Sequence, residues 1–149
     1  MKREDATQTL VNLSRNLEES ALKRFSTLLK QCGGEEQKLA LLERYRREYA
    51  ERLAAQKHSG IAAPSMENFE QFIAHLEGAL TQQQGHATRS RAALDDGMAA
   101  LREARIRSKV FQTLVERRRG AARLREDRQR QKIEDEFASR KASQGKSNT

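Results

Sequence analysis

The sequence has no tryptophan, one proline and one cysteine, and aromatic residues make up 5% of its 149 positions. With so few large rings and 34% charged residues, the chain is too polar for a broad globular core. The lone Cys32 excludes an intramolecular disulfide, and we expect it to pack as a small apolar side chain. No apolar run approaches the ~20 residues of a membrane span, and MKREDATQTL lacks the apolar stretch of a signal peptide. We therefore expect a soluble, cytoplasmic protein.

Signatures of enzyme chemistry are missing as well. The sequence contains no G-x-x-x-x-G-K-[ST], no G-x-G-x-x-G and no H-E-x-x-H. His58, His75 and His86 are scattered, and the adjacent acids Asp95 and Asp96 would point apart on a helix. Neither set predicts a metal site or an acid–base pair. We expect a protein that is not an enzyme and that needs no cofactor.

The residues that are present favour long helices, because Ala, Leu, Glu, Arg, Lys and Gln are strong helix formers. Apolar residues recur in alternating steps of four and three, which is typical of a coiled-coil seam. In the first half the seam positions are Ala21, Phe25, Leu28, Cys32, Glu35, Leu39, Leu42, Arg46, Tyr49 and Leu53. Upstream, Leu10, Ser14 and Leu17 continue this row with one extra four-residue step, a stutter.

The second half repeats the same rhythm without a break. Its seam positions are Phe69, Ile73, Leu76, Leu80, Gln83, Ala87, Ser90, Leu94, Gly97, Leu101, Ala104, Ser108, Phe111, Val115, Arg118 and Ala122. Gln83, Ser90, Gly97, Ser108, Glu35 and Arg46 are polar or small, and we expect them to weaken the seam.

Gly60 and Pro64 separate the two halves, and a short connection makes long helices antiparallel neighbours. Asp5 and Ser65 are candidate N-caps of the two helices. A turn near Gly60 pairs residues whose numbers sum to about 122, which brings apolar positions together. The prediction is an all-α protein, a long rod formed by an antiparallel two-helix coiled-coil hairpin. Its expected parts are helix one at about 5–57, a turn at 58–64, helix two at about 65–140, one domain over 1–141 and a disordered tail at 142–149.

Helix two should outlast helix one, so that residues 122–140 overhang without a partner. Leu124, Ile133 and Phe137 would then be unburied, and a lone helix is marginal in water. The net charge of +8 lies in the same region: residues 102–132 hold 12 basic and 4 acidic residues, and the remainder 17 of each. This excess indicates an acidic partner, nucleic acid or anionic lipid. The run ERRRGAARLREDRQRQK lacks stacking aromatics and includes acids, so nucleic-acid binding is a less favoured alternative.

The stretch FEQFIAHLEGAL carries more apolar residues than one partner helix needs. Phe69, Ile73, Leu76 and Leu80 form the seam stripe, spaced for the facing helix. A second stripe, rotated by ~100°, consists of Phe72, Leu76, Ala79 and Gln83. An exposed aromatic beside small and aliphatic residues is typical of a docking patch. The alternative is that Phe72 shields the seam near the turn.

Three segments resemble the FliJ family of flagellar type III export proteins. They are LLERYRREYAERL before an SGI turn, MENFEQFIAHLEGALTQQQ after it, and VFQTLVERRRGAARLREDRQRQKIEDEFASR near the end. The family shows a tyrosine-containing run, a QFI..LE.A motif and a C-terminal QTL.ER......E.R..QK..DEFA pattern in these places. The resemblance covers nearly the whole chain.

This resemblance implies a non-enzymatic protein that enters the ring of the export ATPase FliI, with its regulator FliH, as a central stalk. It implies contacts with the export gate protein FlhA and with export chaperones, and a place on the cytoplasmic face of the inner membrane through protein partners. The stalk proteins of virulence injectisomes, a sister family, are the alternative.

Two sets of binding residues are predicted. The gate-binding set, at the positions that the resemblance associates with FlhA, is Phe72, Leu76, Ala79 and Gln83, where the last replaces a common His. The ATPase-binding set is Leu10, Leu13, Arg117, Arg118, Arg119, Arg123, Arg125 and Arg128, because a positive collar can orient docking on an acidic ring.

Overall fold

Two long helices make up the protein in a computed structural model that describes residues 2–147, with side chains from residue 5 onward. Helix α1 spans Lys2–Ser59 and helix α2 spans Ala63–Ser147, with 58 and 85 residues. The helices pack against each other as a hairpin, and the residues that the structure describes include no strand. The predicted all-α, two-helix hairpin is confirmed.

The connection between the helices is shorter than expected. Helix α1 ends at Ser59, and Gly60 has a φ of 82°, a left-handed conformation that glycine adopts without a Cβ clash. The amide of Met66 already donates to the carbonyl of Ala62, so the expected N-cap at Ser65 is wrong. Pro64 is tolerated there because the first turn of a helix leaves its amides without carbonyl partners. Asp5, the other expected N-cap, also lies inside its helix.

The chain divides into two compact units, and each is described by itself. The turn unit is Leu17–Ala104, and the terminal unit consists of α1 through Asn16 with α2 from Arg105 onward. In the turn unit the predicted seam residues are buried or half-buried, with Cys32, Leu53, Leu76, Leu80, Leu94, Gly97 and Leu101 the most buried. Leu17 and Arg46 are the exceptions, since both are exposed, and the Arg46 guanidinium meets the Glu77 carboxylate at 3.2 Å.

Cross-helix contacts in the turn unit confirm the antiparallel register. The Tyr49 ring meets the Phe69 ring, and the Gln83 amide bonds to Glu35. Farther from the turn, Gly97 lies against Leu28, where an added Cβ would stand 2.6 Å from the Leu28 Cδ1. Helix propensity predicted that Gly97 would weaken the seam. Instead, the missing side chain of Gly97 leaves room for Leu28 of the opposite helix.

Toward the N-terminus of α1 the observed seam differs from the expected one. Val11 is 3% exposed, whereas Leu10 is 45% exposed. Along α1 the inward row is Thr7, Val11, Ser14, Glu18, Ala21, Phe25, Leu28 and Cys32, in unbroken steps of four and three. The expected stutter and the seam positions at Leu10 and Leu17 are wrong. Burial follows the heptad phase and not residue size, so two leucines remain on the surface.

Every residue of α2 after Ala122, as far as Ser147, is exposed. Leu124, Ile133 and Phe137 are among the exposed apolar residues, as expected for an overhang without a partner helix. The helix continues past the expected end near 140, so the predicted disordered tail is helical through Ser147, while positions 148 and 149 lie outside the described residues. Ala, Lys, Gln and Arg in this tail favour helix intrinsically.

Candidate functional site

An aromatic cluster crosses the two helices near the turn. The ring centroids of Tyr49 and Phe72 are 4.5 Å apart with an interplanar angle of 54°, and Phe69 lies 6.5 Å from Tyr49 on the other side. The Arg52 guanidinium carbon stands 5.3 Å from the Tyr49 ring centroid, within range of a cation–π contact. Tilted rings at these distances attract through their quadrupoles. The cluster thus fixes an exposed aromatic surface on a rigid support.

The four predicted gate-binding residues do not share one exposed surface. Phe72 is 44% exposed, whereas Leu76 is 8% exposed and belongs to the buried seam. Ala79 and Gln83 are half-buried. Of the four, Phe72 therefore offers the large apolar area that a partner could cover.

Gln83 faces the opposite helix rather than solvent. Its amide donates to the Glu35 backbone carbonyl at 3.0 Å and to the Glu35 carboxylate. This hydrogen bond holds the pKa of Glu35 below its ordinary value, because it favours the charged form. The bonds between Gln83 and Glu35 satisfy polar groups of both residues in the seam. Gln83, which was expected to bind a partner, therefore has a structural role.

Sequence reasoning missed Tyr49 as a surface residue, because its heptad position placed it in the seam. Tyr49 is half-buried, and Tyr45 and Leu41, one and two turns earlier, are exposed residues of α1. Their spacing of four puts the three on one helix face. The signal was the expected register, which sets Tyr49 opposite Ile73, the residue next to Phe72. Tyr45, Tyr49 and Phe72 are called the aromatic patch below.

In the terminal unit, two arginines of α2 are tied to α1. The Arg118 Nη1 donates to the Thr7 hydroxyl at 2.9 Å, and the Arg119 Nη2 donates to the Gln8 side-chain oxygen at 3.1 Å. Both acceptors are neutral, so these two bonds position the guanidinium groups without compensating their charges. Arg118, expected in the seam, is exposed.

The structure brings most of the predicted ATPase-binding residues together. Leu10, Arg117, Arg118, Arg119 and Arg125 line one open groove between α1 and α2, with Leu114 and Ala121 beside them. We call it the terminal groove. Leu13, Arg123 and Arg128 do not line it, although all three are exposed on the same unit.

The positive charge of the terminal groove is not neutralised by ion pairs. Among the described residues, no carboxylate lies within 4.0 Å of the side-chain nitrogens of Arg117, Arg118, Arg119 or Arg125. One acidic residue, Asp5, lines the groove. The surface therefore carries several unpaired guanidinium groups, which attract an anionic partner.

Residues 2–147 contain neither a membrane-spanning helix nor a metal-binding cluster. Neither helix contains a stretch long and apolar enough to cross a membrane. In the same part of the chain, three or more His, Cys, Asp or Glu side chains nowhere converge in an arrangement that could hold a metal ion.

Two long helices that pack against each other without a strand among the described residues place the protein in the class of helical coiled-coil hairpins. A family model described as "Flagellar FliJ protein" matches residues 4–147. Two curated relatives bear the same name: one from Salmonella typhi, 33% identical, and one from Escherichia coli (strain K12), 34% identical. Each alignment runs over 142 residues, 95% of this chain and 97% of the relative. The chain belongs to the FliJ family of flagellar proteins, which assigns it to flagellum biogenesis, flagellar protein export and motility.

Proposed function

We propose that this chain is a non-enzymatic part of the flagellar export apparatus that links the export ATPase to the export gate. In this proposal it enters the ring of FliI, whose regulator is FliH, as a central stalk, and it also contacts FlhA and the export chaperones. It acts in the cytoplasm and stays peripheral to the inner membrane through these protein partners. Membership of the FliJ family supports a role in flagellar export. The terminal groove and the aromatic patch are the two surfaces to which we assign the contacts.

The observation that carries the proposal is the set of unpaired arginines around the terminal groove. Long-range attraction between such a set and an acidic ring would steer and orient docking, because opposite potentials raise the encounter rate more than the final affinity. The guanidinium groups of Arg118 and Arg119 are already held by Thr7 and Gln8, so less side-chain freedom is lost on binding. We assign the ATPase contact to this end of the hairpin.

The aromatic patch supports the second contact. Phe72 is exposed yet stacked against Tyr49, so it is an ordered apolar anchor of the kind that dominates binding interfaces. Tyr45 is exposed one turn before Tyr49. We propose that FlhA covers this patch, with Phe72 as the main contact. Leu76 lies in the buried seam one turn from Phe72, and Gln83 lies three turns away and bonds to Glu35, so neither is assigned a direct contact with the gate.

The test of the ATPase contact is stimulation of FliI by purified chain. A triple variant with Arg117→Glu, Arg119→Glu and Arg125→Glu should lose stimulation and keep its helicity. The control carries Arg24→Glu, Lys30→Glu and Arg47→Glu, an equal charge change at exposed positions of the turn unit, and should stimulate normally. Equal loss in both variants would reduce the effect to net charge, and normal stimulation by the first would place the contact elsewhere.

A stalk of a virulence injectisome is the second candidate. The curated relatives are named as flagellar proteins, which favours the flagellar assignment. Deletion of the gene should abolish swimming and flagellar export, whereas an injectisome stalk would leave motility intact and block virulence secretion. RNA binding is the least favoured candidate, and it would show as a mobility shift lost in the arginine variant.

A further inference from the structure

The terminal groove has an apolar floor between the two helices and a rim of arginines. Leu10 of α1 and Leu114 of α2 line it from opposite sides, and they are 45% and 43% exposed. Ala6, one turn before Leu10, and Ala121, two turns after Leu114, extend the apolar strip along both helices. An apolar strip between two antiparallel helices has the shape that receives the side chains of a third helix.

The apolar surface continues along the same helices beyond the groove. Leu13 follows Leu10 by one turn, and Val110 and Ile106 precede Leu114 by one and two turns. All three are at least half exposed. Ile106 lies two residues from both Ala104 and Ser108, which face inward, so it points away from the groove. Leu13 and Val110 lie nearer to its edge. A partner helix would therefore contact Leu10 and Leu114 in the groove and approach Leu13 and Val110 beyond it.

The arginines of the rim determine the charge that a bound partner must carry. Arg117, Arg118, Arg119 and Arg125 line the groove, and among the side chains that the structure describes Asp5 is the one acid beside them. Arg118 and Arg119 donate to neutral acceptors on α1, and no described carboxylate pairs with any of the four. A helix with Leu-type residues on one face and Glu or Asp beside them would cover the floor and satisfy the guanidinium groups, which bind carboxylates well.

The groove fits a helix better than a lipid surface or a nucleic acid. A bilayer would meet the outer ridge of α2 and leave the floor between the helices uncovered. A nucleic acid would satisfy the arginines but would leave Leu10 and Leu114 in contact with water, and the groove lining has no aromatic ring for base stacking. We propose that the terminal groove binds an acidic amphipathic helix of a partner protein as a third helix.

The test uses full-length chain and two synthetic peptides of about four turns, with one leucine stripe flanked by glutamate in the first and by lysine in the second. Fluorescence anisotropy should show binding of the glutamate peptide, weakened by salt, and no binding of the lysine peptide. The Leu10→Ser, Leu114→Ser variant and the Arg117→Glu, Arg125→Glu variant should each weaken binding by about tenfold or more. Leu22→Ser with Leu29→Ser, at exposed leucines of the turn unit, is the matched control and should bind normally.

Several outcomes would overturn the proposal. Binding of the lysine peptide, or undiminished binding by the leucine variant, would show adsorption without use of the groove. Sedimentation of the chain with phosphatidylglycerol vesicles, lost in the same variants while the glutamate peptide does not bind, would assign the surface to lipid. The same pattern with RNA would assign it to nucleic acid.

This proposal depends on the proposed function in one respect, which is that FliI is the protein that supplies the helix. Capture of FliI by a chain that does not bind the glutamate peptide would refute the groove proposal and leave the proposed function standing. Peptide binding at the groove with no capture of FliI would support the groove proposal and refute the ATPase assignment.

Discussion

The rings of Tyr49 and Phe72 meet across the two helices with their centroids 4.5 Å apart. Because this contact joins α1 to α2, Phe72→Ala should lower the free energy of unfolding by about 0.5–1.5 kcal/mol. Leu76→Ala, at a buried position, should cost more, about 2–5 kcal/mol. Urea denaturation of both variants measures the two losses.

A double-mutant cycle with Tyr49→Ala separates the ring contact from other effects of Phe72. A coupling free energy near zero would show that the rings do not support each other. Gate binding should fall with Phe72→Ala by about 1–3 kcal/mol even at temperatures where the variant is fully folded. Unchanged binding by the folded variant would assign Phe72 to the hairpin alone.

Gly97 should resist replacement, unlike the exposed Gly33. An alanine Cβ at Gly97 would come within 2.6 Å of the Leu28 Cδ1, whereas one at Gly33 would meet no atom within 4 Å. Gly33→Ala should stabilise by about 0.5–1 kcal/mol through helix propensity. Gly97→Ala should fall short of that gain by about 1 kcal/mol or more, because Leu28 must move. In a Leu28→Ala background the two glycine changes should have similar effects on thermal unfolding, and a persisting difference would refute the packing account.

Stability should depend on pH through Glu35. Its pKa is lower in the folded protein than its ordinary value of 4.5, mainly because of the hydrogen bond from Gln83. The folded state therefore binds protons less readily, and this stabilisation is present above about pH 4.5 and disappears as the pH falls through the folded pKa. Gln83→Ala should reduce the loss of Tm between pH 7 and pH 3. Gln84→Ala, at the exposed neighbour, is the control and should keep the full loss.

Val11 and Leu10 provide a direct test of the seam near the N-terminus. Val11 is buried, so Val11→Ala should cost about 1.6 kcal/mol for two methyl groups removed from the core. Leu10→Ala removes more atoms but from an exposed site, and should change stability by less than about 0.5 kcal/mol. Chemical denaturation compares the two. A larger loss of stability for Leu10→Ala than for Val11→Ala would place Leu10, and not Val11, in the seam.

The C-terminal part of α2 should contribute helicity without stabilising the hairpin. Residues 123–147 are exposed throughout, so a chain that ends at Arg123 should unfold within about 0.5 kcal/mol of the full chain. Circular dichroism at low temperature should show less helix in the truncated chain, and the full chain should lose this extra signal gradually, before the main transition. A large drop in the unfolding midpoint would mean that the overhang packs on the hairpin.

The sequence by itself determined the class of fold, the register and the unpaired overhang. A heptad repeat dictates which face of a helix is apolar, and one glycine-containing break dictates an antiparallel pairing, so both can be read without coordinates. It also determined that Arg117, Arg118 and Arg119 lie near the N-terminal leucines, because the register carries them there.

Only the tertiary structure decided which residues of these faces are buried. Leu10 and Val11 are adjacent apolar residues, and the packed helices show that Val11 is buried and Leu10 is exposed. Gly97 reads as a weak helical position until Leu28 is seen against it. Phe72 and Gln83 share a stripe in the sequence, yet one stacks on Tyr49 at the surface and the other bonds to Glu35 in the seam. Heptad spacing fixes the direction of a side chain along one helix, whereas its burial depends on the size and position of what the other helix places opposite.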